Sequence, residues 1–232
     1  MSGFRKKEGK KNQENRFLKY AFISGILLFL LFFLSIILSL LFVGNSEALY
    51  MISILQSVLT IIFVFYFLYG FFLIGKRYSN FLKITSILMI IFFLAFYLLS
   101  LSSPYFFGKN LMSNLDEKAK SIGFSSATEF FDYINTNPTE SQKYSGFIVQ
   151  EIIPAILPFL IIIISYLLIV STLFILFGVG LIKIGKDVKY ARIAGILGII
   201  GICTMIIAIG FFVWFAAYVY MIIILFNESR KR

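Results

Sequence analysis

The chain reads as an all-α polytopic membrane protein with six transmembrane helices, or five, containing a parallel internal repeat of a two-helix unit. Three observations carry that expectation. Of 232 residues, 60% are hydrophobic and only 14% are charged, more apolar surface than a water-exposed fold of this size hides. Residues 21–43 are a run of 23 without a charge and residues 49–74 a run of 26. At about 1.5 Å of rise per residue, either run crosses a hydrocarbon core about 30 Å thick. Finally, the basic residues behind the net charge of +10 flank such runs. They do not form a face that would read nucleic acid.

Residues 1–20 are a basic tail, "FRKKEGKKNQENRFLK" at its heart. A secretory signal has an apolar region of about 7–15 residues and an A-x-A-like cleavage site. The run that follows this tail is longer and lacks the site, so residues 21–43 are read as an uncleaved first helix. The second and third helices are expected at 49–74 and 84–101. The fourth is expected at about 158–182, with Pro158 in its first turn, where a missing amide hydrogen costs nothing. Residues 193–226 are then 34 apolar positions without a polar turn, too long for one ordinary helix and tight for two. Gly210 near the middle permits a sharp reversal, which gives helices at 193–209 and 211–226.

Charge placement arbitrates between five and six, because Lys and Arg collect in short cytoplasmic loops. With the N-terminus inside and six helices, 17 of the 21 basic residues are cytoplasmic, including the tail 227–232. Only Lys109, Lys118, Lys120 and Lys143 lie outside, together with seven of the 11 acids. Five helices would expose the tail "NESRKR". The expected location is therefore the cytoplasmic membrane, multi-pass, with both termini cytoplasmic.

Residues 102–150 form the one sizeable aqueous segment, an extracytoplasmic helical cap. "SSPYFFG" suits a helix end at the interface. Leu111, Leu115, Ala119 and Ile122 recur at helical spacing and lead to Gly123, a C-cap. Ser126 with Glu129 is a capping box opening a second helix whose face is Ala127, Phe130, Phe131 and Ile134; "NTNPTE" is a turn. The cap is either a lid on the membrane region or a module that binds a ligand or partner. Asn137-Pro138-Thr139 has proline in the middle and is not a glycosylation acceptor.

"GFFLIGK" at 70–76 and "GLIKIGK" at 180–186 both spell the phosphate-binding pattern G-x-x-x-x-G-K. A working phosphate loop follows a strand, opens a helix and continues with Ser or Thr. Here Arg77 and Asp187 follow, at the ends of apolar helices, so no nucleotide is expected. A repeat explains the echo instead: Gly70, Gly75 and Lys76 fall on Gly180, Gly185 and Lys186 at an offset of 110. With one residue removed, Lys83 falls on Arg192. Each copy is a helix descending to the cytoplasm, a Gly-Lys exit, a basic loop and a returning helix, in parallel orientation. Lys76, Arg77, Lys83, Lys183, Lys186, Lys189 and Arg192 are candidate contacts to anionic headgroups. In this helix pair the chain resembles small polytopic membrane protein families common in archaea, which carry a similar "G…IGK…basic…I-x-x-I-L" pattern and no assigned activity. The resemblance implies membrane location and helix pairing.

Histidine is absent and Cys203 is the single cysteine, which removes the usual zinc ligands and a nucleophile–histidine pair. No carboxylate lies in mid-span, against an ion-coupled pump built on a buried acid. Ser53, Gln56, Ser57 and Thr60 fall at i, i+3, i+4 and i+7, a polar stripe in the outer half of the second helix. Ser35 and Ser39 sit at comparable depth in the first. The stripe is either helix–helix hydrogen bonding or the wall of a polar cavity open to the outside. Ala191, Ala194, Gly195, Gly198 and Gly201 form a small-residue face for close packing. The expected role is non-enzymatic, structural or as an accessory membrane subunit. The alternative is a small-solute transporter, or a membrane subunit of one, and a lipid-modifying enzyme comes last. The expected partners are a bilayer with anionic cytoplasmic headgroups and a second copy or other membrane subunits. Nucleic acid, cofactor and metal are not expected.

Overall fold

The computed structural model describes residues 2–42, 46–103, 109–137, 142–205 and 209–231. Every regular element among them is helical: α1 Ser2–Leu41, α2 Ser46–Tyr78, α3 Asn80–Ser103, α4 Lys109–Ser121 and α5 Ala127–Thr136. A turn at Ser145–Phe147 and a π-helical segment at Ile148–Ile152 run into α6, Ile153–Lys183; α7 Ala191–Cys203 and α8 Ile209–Arg230 follow. Among the described residues, five stretches are long and apolar enough to cross a membrane: Asn12–Leu41, Met51–Tyr78, Asn80–Tyr97, Leu160–Lys183 and Ile209–Arg230. Such helices suit an integral membrane protein. Helix α7 has 13 residues, a rise of about 20 Å, short of the hydrocarbon thickness.

Two boundaries differ from the sequence expectation. Helix α7 ends at Cys203 and α8 begins at Ile209, so Gly210 is the second residue of α8. A Cβ at Gly210 would stand 2.2 Å from the carbonyl carbon of Thr204, so the glycine admits the incoming chain beside it and is not the apex of the reversal. Pro158 likewise lies inside α6, not in its first turn. The helix is already running from the π-helical segment, so Pro158 forfeits the bond to the Pro154 carbonyl and sets its ring against that carbonyl. Positions 104–108 of "SSPYFFG" and 138–140 of "NTNPTE" lie outside the described residues.

The chain folds as two compact units, Met1–Tyr97 with Val170–Arg232, and Leu98–Ile169. In the first, close packing concentrates where Lys76, Lys186 and Lys231 lie, called the basic end below. Leu18, Ala21, Phe71, Ile74, Leu82, Leu181, Ala191 and Leu225 are fully buried there. Gly70 is what lets α1 and α8 approach α2: a Cβ would sit 2.4 Å from that of Ala21 and 2.7 Å from Leu225 Cδ2. The small face of α7 is buried at all five positions, with Gly195 against the Gly178 carbonyl and Gly201 against the backbone of Trp214.

A polar network ties Glu14 and Asn15, more than three turns into α1, to the ends of α2 and α8. Glu14 receives Lys76 Nζ at 3.1 Å and Arg77 Nη2 at 3.3 Å. Arg77 also donates to Asn15 Oδ1 at 3.0 Å, and Asn15 Nδ2 to the Lys231 carbonyl at 3.0 Å. Glu228, 1% exposed, accepts from the Tyr78 hydroxyl at 3.1 Å and pairs with Lys231. The Glu14–Asn15 turn of α1, the α2–α3 junction and the end of α8 therefore meet at one end.

The second unit has its own small core of Leu115, Ala119, Ala127, Phe130 and Ile152, with Ile122, Phe124 and Ile134 packed against it. Gly123, at φ 96°, closes α4. Its amide bonds the Lys120 carbonyl and that of Phe124 the Ala119 carbonyl, the paired 5→2 and 6→1 bonds that a left-handed residue permits. Ser126 Oγ caps α5 by accepting from the Glu129 amide. The returning arm of the capping box is displaced by one residue, because Glu129 Oε2 accepts from Ser125 and not Ser126. Asp116 Oδ1 accepts from the Ala127 amide at 2.7 Å, and Lys118 pairs with Glu151. Phe131, expected on the buried face, is exposed.

Candidate functional site

Away from the basic end, bulky rings on several helices face one another without closing the space between them. Phe29 and Phe32 of α1, Phe93 of α3, Phe174 of α6, and Trp214 and Phe215 of α8 surround a half-open cavity of about 370 Å³. The walls are almost wholly apolar. Polar side chains reach it at Ser35, Gln56, Thr60 and Tyr218, and Trp214 adds an indole N–H to the lining.

Three of those polar groups have partners. The Tyr218 hydroxyl donates to the Gly25 carbonyl at 2.7 Å, using the second lone pair that a helical carbonyl keeps. Tyr218 also stacks on Trp214, with centroids 5.8 Å apart and ring planes 20° apart. A side-chain hydrogen bond joins Thr60 to Tyr97. Ser35 Oγ donates to Gln56 Oε1 at 3.1 Å. The Gln56 amide is then half satisfied: Nε2 is buried and has no hydrogen-bond partner among the described residues. A buried donor without an acceptor costs about 1–3 kcal/mol.

The predicted stripe on α2 is therefore divided. Gln56 and Thr60, one turn apart on the same face, line the cavity. Ser57 bonds back to the Ser53 carbonyl at 2.7 Å, the i−4 bond by which a helical serine satisfies itself. Ser53 itself is exposed. From α1, Ser35 lines the cavity and Ser39 is exposed.

The candidate headgroup-contacting residues are all at the basic end, in different settings. Lys76 and Arg77 are engaged by Glu14. Lys183 Nζ stands 4.0 Å from the centroid of Phe81 and Lys189 Nζ 4.9 Å from that of Tyr190, distances at which ring quadrupoles attract a cation. Lys83 is half-buried, and Lys186 and Arg192 are exposed. Residues 70–76 lie inside α2 and 180–183 inside α6, so their amides belong to helical turns.

Sequence reasoning missed the aromatic walls, since Phe at helical spacing in an apolar run carries no mark of which face it takes. It also missed Glu14 and Glu228 as partners. Only Glu228 carried a signal: it stands three residues before Lys231, a spacing that pairs charges on a helix. No protein family, no curated protein and no solved structure matches the chain.

Proposed function

We propose that the protein is a non-enzymatic component of the cytoplasmic membrane that binds a small, largely apolar molecule in the aromatic cavity, as a carrier or as the membrane subunit of one. The observation that carries this reading is the cavity of about 370 Å³ with one unpartnered buried amide. A purely structural role would leave both without use. The expected outward polar site for a small solute gives way to an apolar one, because the walls are rings and the polar groups few. A bound molecule would therefore be drawn from the bilayer's own apolar content.

The chain passes the membrane six times in this reading, with α7 as a short fifth pass and both termini cytoplasmic. Its support is the network that brings Asn15, Tyr78 and Lys231 together, since a five-pass chain would place Lys231 opposite Tyr78. The two-helix repeat is supported by its turns. A Cβ at Gly75 would stand 2.4 Å from Lys83 N, and one at Gly185 would stand 2.6 Å from Arg192 Cβ; Lys83 and Arg192 are the residues the repeat equates. Lys186, Lys189 and Arg192 would face anionic headgroups directly.

Topology is tested with Cys203→Ala carrying single cysteines. Gln142→Cys should react with an impermeant maleimide in intact cells, and Lys189→Cys and Lys231→Cys only after permeabilisation. Reaction of Lys231→Cys in intact cells would sink the six-pass topology. Binding is tested on detergent-held protein with diphenylmethane, read by thermal stabilisation and by Trp214, the only tryptophan. Absence of both responses would remove the cavity as a binding site.

A further inference from the structure

The proportions of the cavity restrict the shape of its occupant. We propose that it takes one straight hydrocarbon chain of about 12–14 carbons, tail toward the basic end, with the polar head of the molecule left outside the mouth. This rests on the cavity being a binding site, as proposed above.

Length comes from the helices that line it. The lining runs from Gln56 to Leu68 on α2 and from Phe211 to Met221 on α8, rises of about 18 and 15 Å. Spread over that length, about 370 Å³ leaves a mean cross-section of about 20–25 Å². Non-bonded carbons rest about 3.5–4.0 Å apart, so one methylene chain claims about 20 Å² across. A cage or a fused-ring body claims about twice that and meets rings already packed on one another. Phe29 lies 5.1 Å from Phe33 and 5.0 Å from Phe215, and Phe174 lies 6.2 Å from Trp214, centroid to centroid. At about 1.25 Å of advance per C–C bond, the slot holds about 12–14 carbons.

The two ends differ. On α2, α3, α6 and α8 the lining residues nearest the basic end are Leu68, Met89, Phe177 and Met221, none more than 4% exposed. The slot is blind there. At the other end Phe32 and Phe211 are 43% and 36% exposed with ring centroids 5.9 Å apart, and they mark the mouth between α1 and α8. No charged side chain is among the described residues that line the slot. A hydrocarbon tail asks nothing of such walls, whereas a polar group carried to the blind end would lose its hydrogen bonds. The head therefore stays at the mouth.

n-Decane and adamantane have the same number of carbons, one straight and one caged. The protein is held in a steroid-based detergent, which has no alkyl chain, and thermal stabilisation is read for each at equal mole fraction in the micelle. n-Decane should bind about tenfold more tightly, because the cage must force the walls apart. Phe29→Ala removes one wall ring and should shrink that preference by strengthening adamantane. Equal or stronger response to adamantane in the wild type would overturn the inference while leaving the cavity a binding site. So would an undiminished preference in Phe29→Ala, or binding of diphenylmethane without n-decane. If n-decane, adamantane and diphenylmethane all fail to bind, the binding reading falls and this inference with it. The source of the chain is read by competition of 1-dodecanol and didodecanoyl phosphatidylcholine against n-decane. Displacement by the alcohol alone assigns a free single-chain amphiphile, displacement by the phospholipid assigns a membrane lipid, and displacement by neither overturns the inference.

Discussion

Replacing Gly75 with alanine probes both the packing of the basic end and the repeat. The new Cβ would stand 2.4 Å from Lys83 N, 2.7 Å from Lys83 Cα and 2.9 Å from the Leu82 carbonyl carbon. Carbon atoms rest at about 3.5–4.0 Å, so the α2–α3 junction must open by about 1 Å, and the obstruction is backbone that no rotamer change removes. Overpacking of this kind costs about 1–3 kcal/mol. Alanine returns about 0.5–1 kcal/mol at a helical position, which leaves a net loss centred near 1 kcal/mol and at most about 2.5 kcal/mol, or a few degrees in Tm for a chain this long. Gly185→Ala meets Arg192 Cβ at 2.6 Å outside a helix, so nothing is returned and the loss is about 1–3 kcal/mol. Gly146 is the control, because nothing lies within 4 Å of its added Cβ; Gly146→Ala should be neutral or stabilise by less than about 1 kcal/mol. The assay is thermal unfolding of detergent-held protein followed by far-UV circular dichroism. Gly75→Ala and Gly185→Ala melting with the wild type would refute the reasoning, as would Gly146→Ala falling as far as they do.

Two further outcomes follow from single hydrogen bonds. Tyr218→Phe keeps the ring stacked on Trp214 and removes the donor to the Gly25 carbonyl; Tm should fall by an amount corresponding to about 0.6–1 kcal/mol, and an unchanged melting curve would show the bond to be idle. In the second unit, the Ser125 hydroxyl and amide hold the Glu129 carboxyl below its ordinary value of 4.5. A lowered folded-state value means the contribution is complete above 4.5 and is lost as pH falls below it. Protection of α5 amides from hydrogen exchange should decline on acidification through that range, and Ser125→Ala should flatten the decline.

The existence of the long helices was legible because an uninterrupted apolar run leaves the backbone no way to satisfy itself in lipid except as a helix. Local capping was legible for the same kind of reason: Ser126 and Gly123 act within four residues of themselves. What escaped reading depends on partners far along the chain. Gly210 announces a close approach, but sequence cannot say whether the approaching chain is its own turn or, as here, Thr204 and Met205 beside it. The polar stripe was legible as a stripe, yet whether Gln56 has a partner is decided by Ser35, 21 residues away. Lys76 and Arg77 looked like headgroup contacts because Glu14, 62 residues upstream of Lys76, reads as part of a basic tail until α1 is seen to run through it.

The cavity and the packed end are two consequences of one asymmetry along the same helices. Toward the basic end, Ala21, Gly70, Gly180 and Ala191 are small, and backbones approach until a Cβ would collide. Toward the other end the facing residues are Phe29, Phe32, Phe93, Phe174 and Phe215, whose rings hold the helices apart. In water such a gap would be driven shut, since closing it would remove apolar surface from solvent. In a bilayer that drive is absent, because lipid tails are as apolar as the walls, and only dispersion contacts favour collapse. A gap between phenylalanine-rich helices therefore meets no hydrophobic pressure to close, and the rings that line it set its width.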